Sequence, residues 1–320
     1  MRKEIINFIF KIFILILPLC FLFGFVEYKL KKIPNGYNKK RELLESQLDS
    51  INVLALGASQ TLFAVNPDYF SCKGFNLSNV SQSLYYDTQL TLKYIDKMKN
   101  LKCVIVSISY YTFWYQLSDG IDEWRDYYYF HFWDIKYPDL KFDDPKIYSL
   151  IMLYTPQTSL GYAKRFFNIN LSENLSQNGW LKIDTISNNQ NISEKSGKDR
   201  VEFHDKNRFV FRFKETTSML ENFVNECQKR KIDVVFITTP VLPTYYKYTN
   251  PVINQKNTNA INELCKKYDC KYFDYFRDGR FTNKDFNDND HMNFIGAEKF
   301  SKILDTDIVS KIFSNKQINK

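Results

Sequence analysis

Ile51-Asn52-Val53-Leu54-Ala55-Leu56 runs directly into Gly57-Ala58-Ser59-Gln60. The run is short, almost wholly apolar and without alternation. It reads as a strand buried on both faces, the kind found in parallel sheets. A glycine turn closes it, and a serine follows at its carboxyl end. In open α/β sheets, ligands bind in the crevice outside the carboxyl ends of the strands. Ser59 therefore stands where chemistry is expected.

Outward from this strand the pattern repeats. Phe75-Asn76-Leu77 reads as a short second strand followed by a polar loop, and Leu84 to Asn100 as a helix with Leu90, Leu92, Ile95 and Met98 apolar. Cys103 to Ile108 is a third buried strand. Regularity breaks at Tyr110 and returns with a helix over Glu215 to Lys231. A fourth strand spans Ile232 to Thr239, closed by Pro240. A helix over Asn254 to Tyr268, a fifth strand at Lys271 to Asp274 and a last helix from Phe294 to about Phe313 complete the chain. Alternating strands and helices predict an α/β fold: a doubly wound, mostly parallel five-stranded sheet in the flavodoxin-like order 2-1-3-4-5. Residues 110–214 form a large insertion over the sheet's carboxyl edge. Within it, Lys146 to Phe167 reads as helical, and Ser172 to Asp199, rich in Asn, Ser and Lys, as a loop tract or small subdomain. The aromatic run Tyr110 to Trp133 is either a glycan platform or packing against the sheet.

Ile5 to Val26 is apolar apart from Lys11 and is interrupted by Pro18, long enough to cross a bilayer. No small-x-small cleavage site follows it, and Leu17-Pro18-Leu19-Cys20 is a poor lipobox, so an uncleaved N-terminal transmembrane helix is expected rather than a signal peptide. The flanking charges conflict: Arg2 and Lys3 favour an inside N-terminus, whereas Lys29, Lys31 and Lys32 follow the span. The expected organisation is an anchor at 1–28, a linker or stalk at 29–50, and one domain over 51–320. The net charge of +8 is spread along the chain. No nucleic-acid motif is present, and proximity to a membrane or an anionic polymer suffices to explain the charge. The six cysteines suit neither zinc nor a disulfide framework.

The second candidate stretch is Asp288-Asn289-Asp290-His291-Met292-Asn293, opening the last helix. It holds one of only three histidines; His131 and His204 read as structural or surface residues. A serine hydroxyl needs a base to act as a nucleophile, and the base needs an orienting acid. Ser59 follows the first strand and His291 the last, so both fall on the carboxyl edge. Asp288, three residues before the histidine, ranks ahead of Asp290 and Asp285 as orienting acid. Acyl transfer also needs donors to a developing oxyanion. The backbone amides of Ser59 or Gln60 and the side chains of Asn79 and Gln82 are candidates. Ser107 or Ser109, ending the third strand, would line the pocket. Neither a metal site nor a cofactor is expected.

VLALGASQTLFAVNP, GFNLSNVSQSLYYD, CVIVSISYY and DNDHMNFIGAEKFSK, in this order, resemble the SGNH (GDSL-like) hydrolase superfamily. The nearest flavour is its membrane-anchored bacterial branch, which includes alginate O-acetylation proteins and the D-alanyl transfer protein of teichoic acid synthesis. The resemblance covers roughly residues 51–109 and 215–313. It implies Ser59 as nucleophile, His291 as base and Asp288 as orienting acid. The pattern is incomplete. Ala58 stands where the superfamily has an aspartate, Ser78 or Asn79 stands near the second-block glycine, and Ser107-Ile108-Ser109-Tyr110 replaces Gly-x-Asn-Asp. The resemblance implies an extracytoplasmic enzyme moving an acyl group, acetyl above all, to or from a cell-surface polysaccharide. It also implies a partner of the membrane-bound O-acyltransferase type. A carbohydrate esterase using water and a non-catalytic scaffold of a polysaccharide-modification complex are the alternatives.

Overall fold

The computed structural model describes residues 2–153, 174–183 and 192–318. The chain divides into two compact units, one of residues 1–38 with 124–172 and one of 39–123 with 173–320.

The larger unit is built on five strands: β1 (Val53–Leu56), β2 (Gly74–Asn76), β3 (Cys103–Ser107), β4 (Asp233–Thr238) and β5 (Lys271–Asp274). All neighbours are parallel and the order is β2-β1-β3-β4-β5, as expected for a doubly wound sheet. Strands β1, β2 and β3 are buried along their whole length, which explains why they show no alternation. Val53, Ala55, Cys103, Ile105, Val235 and Ile237 form one face of the sheet. They pack with Phe286, Met292, Phe300 and Leu304 from the chain's last quarter. The order reverses between β1 and β3, so the crevice of such a sheet opens at Gly57–Ser59 and Ser107.

Several boundaries differ from expectation. The helix after β2 is Leu84–Tyr94 and stops before the polar Asp96-Lys97 pair. The last helical stretch is Phe294–Leu304, a π turn over Asp305–Val309, then Ser310–Ile318. The largest correction lies in the tract read as a loop, where Glu194–Lys206 is a helix. Ser193 and Ser196 form a reciprocal capping box at its start, Ser196 N donating to Ser193 Oγ and Ser193 N to Ser196 Oγ. Its buried residues are Gly197, Val201 and His204. That helical spacing went unread because only one of the three is an apolar side chain. In the expected helix over 146–167, the structure holds a 3₁₀ turn at Pro145–Ile147 and a helix at Leu150–Leu153; residues 154–167 lie outside the described part.

The smaller unit carries the Arg2–Lys32 helix, which is long and apolar enough to cross a membrane, a test that a signal sequence also passes. Its 31 residues span about 46 Å at 1.5 Å per residue. The end of this helix is built into the unit. Glu27 accepts hydrogen bonds from Ser149 Oγ at 2.9 Å, Leu150 N at 2.9 Å and Ile151 N at 3.3 Å, satisfying the free amides that begin Leu150–Leu153. Lys29 to Lys32 continue this helix, and a second helix, Gly36–Glu45, follows. The Trp124–Trp133 part of the aromatic run is a helix with Tyr128, Tyr129, Phe132 and Trp133 buried. Tyr37 meets Tyr128 and Tyr129 at centroid distances of 5.1 Å.

Gly57 has φ +147°, where an added Cβ would collide with the Thr61 hydroxyl and stand 3.1 Å from Ser107 Cβ. Gly57→Ala is expected to cost about 1–3 kcal/mol of unfolding free energy, read as a lower denaturant midpoint with unchanged slope. An unchanged midpoint would mean that the turn tolerates a side chain.

Candidate active site

The serine side of the site begins with the turn after β1. Ser59 opens the short helix Ser59–Ala64, with Ala58 as its N-cap. The first amides of a helix lack internal acceptors. The turn before it is held from below: Gly57 N donates to Asp87 Oδ1 at 2.9 Å, and Gln82 Nε2 donates to the same oxygen at 2.6 Å. Asp87 is buried, and burial pushes its carboxyl up to about 7 even though both hydrogen bonds work the other way. It supports the turn from a position that no sequence motif marks.

The histidine comes from the loop after β5. Phe286 and Met292 form an antiparallel bridge, and Asn287 N donates to His291 O at 2.8 Å. Asn293 is fully buried and fixes the loop's exit. Its Oδ1 accepts from Ile295 N and Gly296 N, capping Phe294–Leu304, and its Nδ2 donates to Lys284 O and Phe286 O. Within the loop, Asp288 Oδ1 accepts the backbone amides of Asp290 and His291 at 3.0 and 2.8 Å. Its other oxygen lies 2.9 Å from His291 Nδ1, and His291 Nε2 lies 2.8 Å from Ser59 Oγ. The structure thus brings the three expected catalytic residues into one hydrogen-bonded line. Asp290 Oδ1 is farther from Nδ1, at 3.7 Å, and Asp285 instead caps Thr282 and meets Lys299. Burial opposes charge on His291, but Asp290 and Asp288 outweigh it and its pKa is raised. Burial likewise opposes charge on Asp288, yet the His291 bond and two backbone amides hold it well below the usual carboxylate range. The ring of Phe63 meets the imidazole edge-on at 5.2 Å.

The other expected residues separate. The Asn79 amide donates to Gly57 O at 3.4 Å and its Oδ1 accepts from Val80 N, leaving its Nδ2 without a hydrogen bond among the described residues. Gln82 is committed to Asp87 and Leu77 O, beneath the turn. Gln60 turns its side chain away from the serine, donating to Asp290 Oδ2 at 3.0 Å. Ser107 is buried under Gly57, its hydroxyl unpartnered among the described residues.

Three further side chains line the site: Tyr111 and Arg200, which the sequence does not mark, and His204, expected as a structural or surface residue. Tyr111, just past β3, lines the same cleft as Ser59; burial pushes its pKa up to about 12, so it remains a phenol. Arg200 reaches in from the Glu194–Lys206 helix and pairs with Asp290 at 3.1 Å. His204, from the same helix, lies 2.7 Å from Tyr245 Oη through Nδ1. Burial, reinforced by Arg200, lowers its pKa to about 3 and keeps it neutral. No spacing to Ser59 or His291 in the sequence points to these groups. Asp288, Asp290 and His291 have donor atoms within 4.8 Å of one another, a spacing a cation could use. The Arg200 guanidinium already neutralises Asp290, which makes that set a poor metal ligand.

Beside Ser59 lies a narrow cleft of about 40 Å³, lined by Tyr111, Tyr115, Ile121, Arg200, Phe203 and His204 among others. A larger cleft of about 440 Å³ opens between β4, β5 and the Pro251–Tyr268 helix, and none of the three aligned residues lines it.

A family model matches residues 204–313, less than half of the chain, including β4, β5 and the His291 loop but not Ser59. No curated protein matches the chain. Two solved structures are similar in fold. A GDSL-like lipase from Bacteroides thetaiotaomicron is 10% identical, with 87% of this chain and 99% of that chain covered and a TM-score of 0.37. A proposed acylhydrolase from Bacteroides fragilis is 11% identical, with 87% and 98% covered and a TM-score of 0.40. Likeness at this level carries no functional argument, and the fold rests on the strand order itself.

Asp87 gives a test of the turn's support. A carboxyl whose folded pKa is raised holds its proton more tightly in the folded state. The stability it contributes is therefore present at low pH and lost as pH rises from about 3.8 toward about 7. Asp87→Asn retains an oxygen for Gly57 N and does not ionise. Its melting temperature is expected to gain on the parent's between pH 5 and pH 8. A constant gap across that range would show that Asp87 is already ionised in the folded protein, with no raised pKa.

Proposed function

We propose that this chain is a membrane-anchored serine acyl-ester enzyme that moves a short acyl group, acetyl above all, to or from a cell-surface polysaccharide. The observation that carries the reading is the line Ser59 Oγ–His291 Nε2–His291 Nδ1–Asp288, with successive contacts of 2.8 and 2.9 Å. In this reading Ser59 Oγ attacks the acyl carbonyl and its proton passes to His291 Nε2. The Ser59 amide and the Asn79 carboxamide donate to the developing oxyanion, with the Tyr111 phenol beside them. Collapse breaks the ester bond, and His291 returns the proton to the leaving alcohol. Ser59 is left acylated. A sugar hydroxyl or water then attacks, gives its proton to His291, and collapse restores the Ser59 hydroxyl.

The size of the cleft supports a small acyl group. About 40 Å³ is space for about three water-sized spheres at roughly 10–15 Å³ each, enough for a methyl group and too little for a long chain. The anchor reading draws on the Glu27 contacts, which make the end of the apolar helix part of a folded unit. An extracytoplasmic active site and an acyl-exporting membrane partner of the O-acyltransferase type belong to the same proposal.

Aryl acetate hydrolysis by the detergent-solubilised chain tests it. Ser59→Ala and His291→Ala are each expected to lower kcat/KM by about 10³-fold or more, and Asp288→Asn by about 10²–10⁴-fold. Wild-type rates in the Ser59 and His291 variants would overturn the reading. In an acyl series, acetate is expected to exceed octanoate, and equal rates would remove the small-acyl assignment. An added oligosaccharide that gains acetyl groups in mass spectra identifies transfer; acetate release without such gain identifies the water-using esterase.

A further inference from the structure

The site contains a second carboxylate that the proton relay does not need. Asp290 is buried, and its Oδ1 stands only 3.7 Å from His291 Nδ1, against 2.9 Å for Asp288. Two acids thus face one ring N–H. Arg200 separates their roles. Its Nε lies 3.1 and 3.2 Å from the two Asp290 oxygens, Gln60 Nε2 adds a third contact at 3.0 Å, and Arg200 Nη2 lies 3.4 Å from His291 Nε2.

The helix that delivers Arg200 is locked to the His291 loop. Gly197 lies so close to the Thr244 backbone that a Cβ there would overlap its carbonyl. Asn289, next to Asp290, donates to Ser196 Oγ at 2.9 Å and accepts from Thr244 Oγ1 at 2.6 Å. The guanidinium position is therefore set by backbone packing and two side-chain hydrogen bonds, not by the ion pair alone.

We propose that Arg200 is a positioning residue for the base: it binds the Asp290 carboxylate so that Asp288 orients His291, and it balances the second negative charge beside the imidazole. The inference rests on the reading of His291 as the base. Asp290 alone would stabilise the imidazolium, and a base already protonated at neutral pH cannot take the Ser59 proton. Arg200 alone would repel the imidazolium that forms during attack. The two charges oppose each other at the ring, and Arg200 offsets part of the pull of Asp290. The titratable groups facing His291 are Asp288 and Asp290 from its own loop, Arg200 and His204 from the Glu194–Lys206 helix, Tyr111 from the segment after β3, and Tyr245 from the Pro243–Tyr246 helix. Asp122 faces the cleft and accepts from Ser81 Oγ at 2.6 Å. Burial keeps His204, Tyr111 and Tyr245 uncharged near neutrality.

The test is an NMR titration of the histidine ring protons in the full chain, in which three histidines make assignment by substitution direct. Wild type, Arg200→Met, Arg200→Lys, Asp290→Asn and the double variant Arg200→Met/Asp290→Asn are compared. Arg200→Met is expected to raise the His291 midpoint by about one unit or more, and Asp290→Asn to lower it by a similar amount. The double variant should fall between the two single variants, and Arg200→Lys should stay nearer wild type than Arg200→Met. The acidic limb of the pH–rate profile for aryl acetate should move with each midpoint. Arg200→Met and Asp290→Asn midpoints that both stay at the wild-type value, or that move in the same direction, overturn the proposal. If Arg200→Met does not fold, Asp290→Asn must lower the midpoint and the charge-free double variant must bring it back up from that value; a double variant no higher than Asp290→Asn overturns the proposal. The titration does not depend on turnover, so a failure of the Ser59 reading shows in the rate assay and a failure of this one in the midpoints.

Discussion

Both ring nitrogens of His291 are engaged, one by Asp288 and one by Ser59, and this doubly held imidazole joins parts of the chain 232 residues apart. The geometry requires that the turn after β1 and the loop after β5 be fixed independently. Gly57 fixes the first by adopting a conformation closed to side chains, with Asp87 and Gln82 beneath it. Asn293 fixes the second, using both ends of one buried carboxamide to cap a helix and hold two carbonyls. The sheet brings the two together because parallel strands put all their carboxyl ends on one edge.

Much of this was legible in the sequence for reasons that follow from the same constraint. Strands buried on both faces must be continuously apolar, so Val53–Leu56, Cys103–Ser107 and the centre of Asp233–Thr238 announce themselves. A serine after one such strand and a histidine after the last share an edge by topology. Asp288 was preferred over Asp290 because a neighbouring side chain tends to point away, and the distances of 2.9 and 3.7 Å follow that order. Groups whose role depends on a partner distant in sequence were not legible. Asp87 reads as an ordinary polar residue in a helix until Gly57 N is found above it. Arg200 sits in a tract whose Ser, Gly, Lys and Asp content resembles a loop, and the helix there is specified by a serine capping box and by Gly197 packing against Thr244. Packing overrode propensity.

The departures from the resembled pattern take on a physical sense in the structure. The strand end Ser107-Ile108-Ser109-Tyr110 lacks the expected asparagine, yet the next residue, Tyr111, brings a phenol into the cleft beside Ser59. A phenol held up to about 12 by burial stays protonated at any pH at which His291 can serve as a base, so it can donate where a carboxamide would. The aspartate missing before Ser59 leaves Ala58 as an N-cap with no side-chain bond, and the turn is stabilised instead from beneath by Asp87. A buried, partly protonated acid is a weaker prop than an ionised one at the surface, but it lies out of reach of solvent and of substrate. The site thus keeps its carboxylates in three separate environments. Asp87 lies under the turn, Asp288 is ionised against the imidazole, and Asp290 is neutralised by a cation from the insertion. That separation lets three acids stand around one serine–histidine pair while a single one hydrogen-bonds the imidazole.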